Sequence, residues 1–566
     1  MLRIIPNVKK LEIKDGFLTT RAVNYNGCAV DSRIDAAAKK LPLDPNGAML
    51  EITVNGNCGD SYTLDIDHSG IRIQAEGPAG AFYGIQTLRQ IFTHEKIPYL
   101  HISDKPDFAH RGFYHDVTRG KVPTLESVKE LIDLMAYYKL NSLQLYVEHT
   151  CEFEQCKDLI QASGYLTKDE IRQLDAYCNQ NFIEFIPSLS TFGHLYELLQ
   201  QPKYQHLRVL KDYQPMANFW RARMIHHTID PRNPESLELI KSLIDQYMPL
   251  FTSDTFNICC DETFDLKTFG GENVGRLYVD FVKKIIDYVK SKGKKVMMWG
   301  DILLQHPETI DELPDDTYFL NWFYRLDPPE ENVIRFAQSG KAQIVCPGTT
   351  TWNRFCEAVD IEENNICRMA EYGHKHGALG VLNTNWGDWG NPCSTELAMY
   401  GLLLGAEKSW CVATQPGDEF YCAVNHYLYE NEKGVQYLKE LSKLQDQVNW
   451  RNYCQAYFNE RFHFDEEFPL AFEGDIAQLQ QNYLSFVKRL AAEKDFAEEY
   501  RQEMLLAAEG VCILAELYSR KQGKEVKRVT DTDAWLHKFR QKWTQKNKES
   551  ELRNIEEMYR YCQQNW

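Results

Sequence analysis

The feature that most constrains the fold is a repeated alternation of short apolar runs and amphipathic segments between residues 112 and 407 of this 566-residue chain. Each run is bounded by polar or turn-forming residues and is followed by helical periodicity, which predicts a strand and then a helix. The predicted strands are Gly112–Val117, Ser142–Glu148, Phe182–Leu189, Thr255–Glu262, Lys295–Asp301, Thr317–Tyr324, Gln343–Gly348 and Ala378–Trp386. The predicted helices are Leu125–Tyr138, Lys168–Asn179, Pro234–Tyr247, Arg276–Lys292, Glu308–Glu312, Glu330–Gln338, Ile361–His376 and Thr395–Glu407.

Eight such alternations indicate an α/β fold with a (β/α)8 TIM-type barrel, which we expect over residues 108–410. An open, doubly wound parallel sheet would give the same alternation and is the alternative fold. Such sheets often carry a glycine-rich phosphate-binding turn after a strand, and no predicted strand here is followed by one. The barrel is therefore the favoured interpretation.

Two further regions flank the predicted barrel. Residues 1–107 indicate a small N-terminal α+β domain, with a helix at Ala81–Phe92 after strand-like runs. Residues 411–566 have helical periodicity and many charges, and predict a helical C-terminal domain. Its predicted helices are Val435–Leu444, Ile476–Leu490, Ala497–Leu517 and Thr532–Tyr561. The charged stretch Lys538–Glu557 is compatible with a solvated face or with a dimer contact, so a homodimer is one expected assembly.

Composition excludes several classes of partner. The net charge of −18 argues against nucleic acid and against anionic membranes as partners. No apolar run approaches the ~18 residues that a membrane span needs. The first ten residues contain no apolar core of a secretory signal, so we expect a cytoplasmic location. The 16 cysteines are scattered without a CxxC pair, which predicts free thiols, no zinc site and no cofactor.

Chemistry in a barrel belongs at the carboxyl ends of the strands. Acids, histidines and tryptophans collect at the predicted ends, and the long interval from Ser190 to Arg232 predicts a lid or wall over them. These end residues are Glu148, His149, His194, Asp261, Glu262, Trp299, Asp301, Trp322, Trp352, Asn353, Trp386 and Asp388.

The adjacent acids Asp261 and Glu262 are the most informative of these residues. Neighbours on a regular strand point to opposite faces, so the two carboxylates share a pocket only if the strand ends or bulges there. Neighbouring acids are also poorly placed to act as nucleophile and acid on opposite sides of one glycosidic bond. A mechanism in which the substrate supplies the nucleophile fits them better. The plain alternative is a salt-bridged pair at a strand end.

Five motifs along the chain, taken in this order, resemble those of family 20 glycoside hydrolases, the β-N-acetylhexosaminidases. They are Arg111-Gly-Phe-Tyr-His-Asp116, Pro187 with Gly193-His194, Asn257-Ile-Cys-Cys-Asp-Glu262, Trp299, and Trp386-Gly-Asp388. The stretch Gly80–Arg89 also resembles the accessory domain of that family, so the resemblance covers roughly residues 1–410.

The resemblance implies removal of terminal β-linked GlcNAc or GalNAc from an oligosaccharide or glycoconjugate, with the 2-acetamido oxygen as nucleophile. Glu262 would be the general acid and base, and Asp261 would hold the acetamido N–H. Arg111 would bind the C3 and C4 hydroxyls, with Asp388 near C4 or C6. Further substrate contacts are expected from His194, Trp299, Trp322, Trp352, Asn353 and Trp386, and support from Glu148, His149 and Asp301.

The chain also departs from the family pattern. Cys259-Cys260 precede the acid pair where glycine or alanine is usual, and Thr351-Trp352-Asn353 stands where a Tyr-x-Asp is expected. The sequence therefore does not identify the residue that binds the acetamido carbonyl. Two other functions stay open at this point, a barrel glycosidase that uses two carboxylates on other sugars and a non-catalytic sugar-binding barrel.

Overall fold

A computed structural model of the chain describes residues 2–27, 31–159, 164–213, 216–225, 227–269, 274–463 and 466–566. Its centre is a closed barrel of eight parallel strands, in the order β10-β11-β12-β13-β14-β7-β8-β9. The strands are β7 (His110–Asp116), β8 (Ser142–Val147), β9 (Glu184–Leu189), β10 (Thr255–Asn257), β11 (Lys295–Trp299), β12 (Tyr318–Trp322), β13 (Gln343–Cys346) and β14 (Gly380–Asn385). The predicted TIM-type barrel is confirmed.

Helices follow the barrel strands and cover them. They are α3 (Leu125–Tyr137), α4 (Lys168–Gln180), α5 (Tyr196–Gln200), α6 (Phe219–Arg223), α7 (Pro234–Tyr247), α8 (Val274–Ser291), α9 (Asp301–Gln305), α10 (Glu330–Gln338), α11 (Val359–Lys375) and α12 (Met399–Trp410). Local sequence fixes several starts, since Thr124 caps α3 through its side chain and Asn233 caps α7 ahead of Pro234. The weak helix expected near Glu308 is a 3-10 turn.

The N-terminal region forms a six-stranded sheet, in the order β1-β6-β4-β5-β3-β2. Its strands are β1 (Lys10–Phe17), β2 (Val23–Asn24), β3 (Ala48–Val54), β4 (Tyr62–Asp67), β5 (Gly70–Ala75) and β6 (Pro98–Asp104), with helices α1 (Ser32–Ala38) and α2 (Pro78–Ile91). Helix α2 buries its apolar face against β4 and β5. The predicted α+β character is confirmed.

The C-terminal region is helical, as expected from its periodicity. Its helices are α13 (Asp418–Val424), α14 (Gly434–Gln445), α15 (Trp450–Phe462), α16 (Ile476–Ala492), α17 (Glu498–Lys521), α18 (Thr532–Lys546) and α19 (Leu552–Asn565). The prediction of one helix over Thr532–Tyr561 is wrong, because two helices occupy this range and the chain between Lys546 and Leu552 is not helical. In the described part of the chain, no helix has both the length and the apolar character required to cross a bilayer.

Candidate active site

The fourth barrel strand along the chain ends before it reaches the acid pair. β10 stops at Asn257, and Cys259, Cys260 and Glu262 then adopt left-handed backbone with φ of 54°, 66° and 48°. Non-glycine residues adopt this conformation only when surrounding contacts hold them there. The pleat is therefore lost, and both carboxylates come to the same side of the chain. The predicted strand through Glu262 is wrong, but the condition that the sequence set for a shared pocket is met.

Among the hydrogen bonds that hold this strained segment are four made by side chains. Asn257 accepts from Cys259, Thr191 donates to Ile258, Tyr278 donates to Cys260, and Asp301 accepts from Glu262. Their lengths are 2.9 Å for Cys259 N to Asn257 Oδ1, 2.6 Å for Thr191 Oγ1 to the Ile258 carbonyl, 3.0 Å for Tyr278 Oη to the Cys260 carbonyl, and 3.1 Å for Glu262 N to Asp301 Oδ2. A further contact is steric, because a Cβ at Gly193 would lie 2.4 Å from the Asp261 carbonyl oxygen. Glycine is thus required at position 193.

His194 connects the two acids. Its Nε2 atom lies 3.2 Å from Asp261 Oδ2 and 3.2 Å from Glu262 Oε2, and the side chain is 1% exposed. Burial lowers the pKa of His194, but the charge of Asp261 and the hydrogen bonds to both carboxylates outweigh burial and raise this pKa to about 10. The imidazole is therefore charged at neutral pH and balances the acid pair.

A cavity of about 150 Å³ opens above the acids. Half of its lining residues are aromatic, and the Trp322 and Tyr324 rings stack with centroids 5.0 Å apart. The lining residues are Arg119, Met224, Asp261, Glu262, Trp299, Trp322, Tyr324, Trp352, Trp386 and Asp388. Flat aromatic faces flanked by a few charged groups suit a sugar ring, which presents apolar C–H faces and an equatorial rim of hydroxyls.

Arg119 is the cation of this cavity. Its guanidinium donates to Asp388, lies 3.5 Å from Glu148, and sits over the rings of Tyr146 and Trp386 at 5.0 Å and 5.2 Å. The side chain is 8% exposed, so its charge is held by these partners rather than by water. Arg119 and Asp388 together present hydrogen-bond donors and acceptors to hydroxyl groups in the cavity.

Comparison with known families decides the identity of the chain. The model of the glycosyl hydrolase family 20 catalytic domain matches residues 108–387, and the model of domain 2 of the same family matches residues 1–105. The chain belongs to glycosyl hydrolase family 20. The family that the sequence motifs resembled is thereby confirmed.

Similar proteins are distant and differ in length. The match to a lacto-N-biosidase of Bifidobacterium bifidum is 23% identical over 69% of this chain and 34% of the relative. The match to a β-hexosaminidase of Emericella nidulans is 26% identical over 50% of this chain and 52% of the relative. These matches thus span about a third to a half of the relatives. The crystal structure of a Flavobacterium johnsoniae chitobiase aligns with a TM-score of 0.63 and 19% identity, over 95% of this chain and 96% of that one, and supports the fold.

Arg111 does not reach the cavity of this family 20 chain, so its predicted role is wrong. It lies near the start of β7, about 16 Å from the carboxyl end at roughly 3.3 Å per residue. Its guanidinium donates to the Phe108 and Lys139 carbonyls at 2.9 and 3.0 Å, and to Asp60 of the N-terminal sheet domain at 2.9 Å. Arg111 therefore joins the two domains.

The other predicted residues divide into three groups. Trp299, Trp322, Trp352, Trp386, Asp388 and the acid pair line the cavity. Glu148 and His194 lie directly behind it, where the Tyr146 hydroxyl donates to Glu148 at 2.8 Å. Asn353 and His149 are outside the lining. Asn353 follows Trp352 in left-handed backbone, and the His149 side chain is 12% exposed, with its pKa lowered chiefly by desolvation.

Asp301 lies beneath Glu262. Burial first, and then the charges of Asp261 and Glu262, raise the pKa of Asp301 well above its ordinary value. One of its oxygens accepts the Glu262 N–H, and the other has no hydrogen-bond partner among the described residues. The raised pKa favours the neutral form of Asp301, which holds the left-handed backbone of Glu262 through this hydrogen bond.

Three cavity residues were missed from the sequence. Arg119 follows Asp116 by three residues at the carboxyl end of β7, and Tyr324 follows Trp322 by two at the end of β12. Both positions satisfy the rule that barrel chemistry lies past the strand ends, so this rule could have found them. Met224 lies in the long 190–232 segment and carries no signal of residue type.

His194, Asp261 and Glu262 also offer one ligand atom each within 4.8 Å of one another, the spacing of a metal site. Metal binding requires a neutral imidazole. The raised pKa of His194 opposes that state. The arrangement therefore favours a protonated His194 beside the two carboxylates over a bound metal ion.

We expect the charge of His194 to make stability depend on pH. Its pKa is higher in the folded state, about 10, than the ordinary value of 6.5, so its contribution is complete below pH 6.5 and is lost as pH rises to about 10. The difference in urea midpoint between wild type and His194→Gln should therefore shrink over this range. A difference that stays constant or grows with pH would contradict the charged imidazole.

Proposed function

We propose that the chain is a retaining, exo-acting β-N-acetylhexosaminidase that releases terminal β-linked GlcNAc or GalNAc from an oligosaccharide or glycoconjugate. One observation carries the proposal. Asp261 and Glu262 face one cavity from the same side, each 3.2 Å from the His194 Nε2 atom. Two acids on the same side cannot attack the anomeric carbon from one face and protonate the leaving oxygen from the other. The substrate must then bring the nucleophile.

In the proposed mechanism the 2-acetamido oxygen attacks the anomeric carbon while Glu262 protonates the leaving oxygen. The C1–O bond breaks, and an oxazolinium intermediate forms. Asp261 accepts the acetamido N–H and offsets the positive charge that develops there. Glu262, now a carboxylate, takes a proton from water, which attacks the same carbon, breaks its bond to the acetamido oxygen and restores the β-configuration. Two inversions give net retention.

Most of the remaining wall residues have a role in this mechanism. The Tyr324 hydroxyl accepts from the Trp386 indole N–H at 2.8 Å and lies in the cavity wall, where its O–H would donate to the acetamido carbonyl. Tyr324 is thus the proposed candidate for the position that the sequence left open. Trp299, Trp322 and Trp352 would enclose the acetamido methyl and the ring face, and Arg119 with Asp388 would bind the C3, C4 or C6 hydroxyls.

A panel of aryl glycosides tests this function. We expect hydrolysis of aryl N-acetyl-β-glucosaminide or N-acetyl-β-galactosaminide, none of the matched aryl β-glucoside, and inhibition by a thiazoline that mimics the oxazolinium ion. Equal turnover of the β-glucoside would indicate two-carboxylate chemistry instead. Binding of N-acetylglucosamine without turnover of any aryl glycoside would indicate a non-catalytic sugar-binding barrel.

Three properties of the whole protein stay predictions. A cytoplasmic, reducing location is supported by the cysteines, because all 15 in the described part are free thiols and 13 of them are buried. Homodimer formation rests only on the charged C-terminal stretch. Nucleic acid and membrane surfaces are still disfavoured by the net charge of −18.

A further inference from the structure

The segment that joins the last two helices, residues 546–551, lies against the barrel. We call it the C-terminal strap. It runs beside residues 120–124, the loop that follows Arg119. The backbone bonds are Thr124 N to the Lys546 carbonyl at 2.9 Å, Lys548 N to the Val122 carbonyl at 2.8 Å, and Glu551 N to the Gly120 carbonyl at 3.2 Å. The C-terminal domain therefore continues the backbone hydrogen bonding of the loop that positions the cavity arginine.

Glu551, at the end of the strap, also holds helix α6. One carboxylate oxygen accepts the Trp220 indole N–H at 2.7 Å, and the other accepts from the Arg223 guanidinium. The side chains of Glu551 and Arg223 are only 13% and 10% exposed. A largely shielded carboxylate with a donor on each oxygen is strongly directional, and its loss leaves both donors without this partner. Met224, the next residue after α6, lines the cavity.

Close contacts at two glycines bring the Arg119 loop, the Asp388 loop and helix α6 together. A Cβ at Gly120 would lie 2.4 Å from the Gly390 backbone, and a Cβ at Gly390 would lie 2.7 Å from the Trp220 ring. Gly390 follows Asp388, the partner of Arg119. The loops of Arg119 and Asp388 and helix α6 thus meet at one tightly packed point, which the strap covers.

We propose that Glu551 is a positioning residue through which the C-terminal domain completes the sugar cavity. It fixes Met224 by holding α6, and it fixes Arg119 through the strap and Gly120. The acid pair is held by other residues, namely Thr191, Tyr278 and Asp301. Loss of Glu551 should therefore weaken sugar binding more than it slows the chemical step. The kinetic part of this proposal rests on the proposed glycosidase function.

Glu551→Gln keeps the size of the side chain and removes one acceptor oxygen and the charge. We expect KM for the aryl N-acetyl-β-glucosaminide to rise about tenfold while kcat changes less than about threefold. We also expect new tryptic cleavage at Arg221 or Arg223 at a temperature where the variant is folded. The matched control is Glu549→Gln, two residues earlier, whose carboxylate pairs within the described chain with Arg540 and Arg553 of the C-terminal domain.

The tryptic measurement needs no turnover, so it decides the proposal even if the wild type hydrolyses none of the glycosides. Identical KM and identical cleavage in Glu551→Gln and Glu549→Gln would overturn it, and so would a fall in kcat at unchanged KM. Should Glu551→Gln fail to fold, Trp220→Phe removes the indole N–H and keeps an aromatic ring. A raised KM with new cleavage then supports the proposal, and wild-type behaviour overturns it.

Discussion

Glu262→Gln should lower kcat on an aryl N-acetyl-β-glucosaminide by about 10²- to 10⁴-fold, the usual contribution of a general acid and base. Glutamine cannot protonate the leaving oxygen and cannot take a proton from water. Asp261→Asn should cost about 10²- to 10³-fold, because an amide does not offset the charge on the oxazolinium nitrogen. Both changes are nearly isosteric, but each removes a charged partner of His194, so the thermal midpoint, measured in parallel, separates lost activity from lost folding.

The leaving group provides the control for the acid role. A dinitrophenolate departs without protonation, so the deficit of Glu262→Gln should be much smaller with a dinitrophenyl glycoside than with a phenyl glycoside. Asp261→Asn should show a similar deficit with both. The same deficit of Glu262→Gln for both leaving groups, or unchanged kcat in either variant, would remove the assignment of these roles.

Matched lysine substitutions at Arg119 and Arg111 should give opposite results. Arg119→Lys should lower kcat/KM by about 10²-fold, because lysine cannot reproduce the fork that contacts Asp388 and that would bind the sugar hydroxyls under the proposed function. Its effect on stability should be smaller than that of Arg111→Lys. The latter should destabilise the fold by about 1–3 kcal/mol through lost hydrogen bonds to Asp60 and two carbonyls, with KM unchanged.

Steady-state kinetics and urea unfolding of the two variants check this pair of predictions. An altered KM in Arg111→Lys at wild-type stability would restore the role that the sequence motif suggested. Wild-type kinetics in Arg119→Lys would mean that the cavity next to Arg119 is not the sugar-binding site. Either outcome contradicts the positions of the two arginines in the barrel.

The barrel was predictable because the local periodicity of apolar residues specifies its strands and helices. Each strand and each helix is specified by the spacing of its own apolar residues, as β8 and α8 illustrate, and the number of repeats then fixes closure. Positions at the carboxyl ends of strands followed from the same count. Most of the aromatic cavity wall was therefore found from the sequence.

The geometry of the acid pair was not predictable in the same way. Left-handed backbone at Cys259, Cys260 and Glu262 is imposed by contacts from Thr191 and Tyr278, which are distant in sequence. An apolar run ending in two acids has the same pattern whether the strand stops at Asn257 or continues. The break between α18 and α19 is similar, since the strap is held by the barrel loop rather than by any strong local breaker.

The error at Arg111 has a different cause. It was assigned through a motif, although it stands at the amino end of its strand, where barrel chemistry is not expected. The same rule points to Arg119 on the other end of β7. Position in the barrel was the better guide here, because a guanidinium can bind a sugar only from the end where the cavity opens.

The nucleophile is the central claim, and a series of aryl β-glucosaminides with zero to three fluorine atoms on the 2-acetamido methyl tests it most directly. Fluorine withdraws electrons from the carbonyl oxygen and leaves the aglycone unchanged. If that oxygen attacks the anomeric carbon, kcat/KM must fall steeply with each added fluorine. A flat series from an active enzyme would mean that the protein or water supplies the nucleophile, and the substrate-assisted mechanism would be wrong.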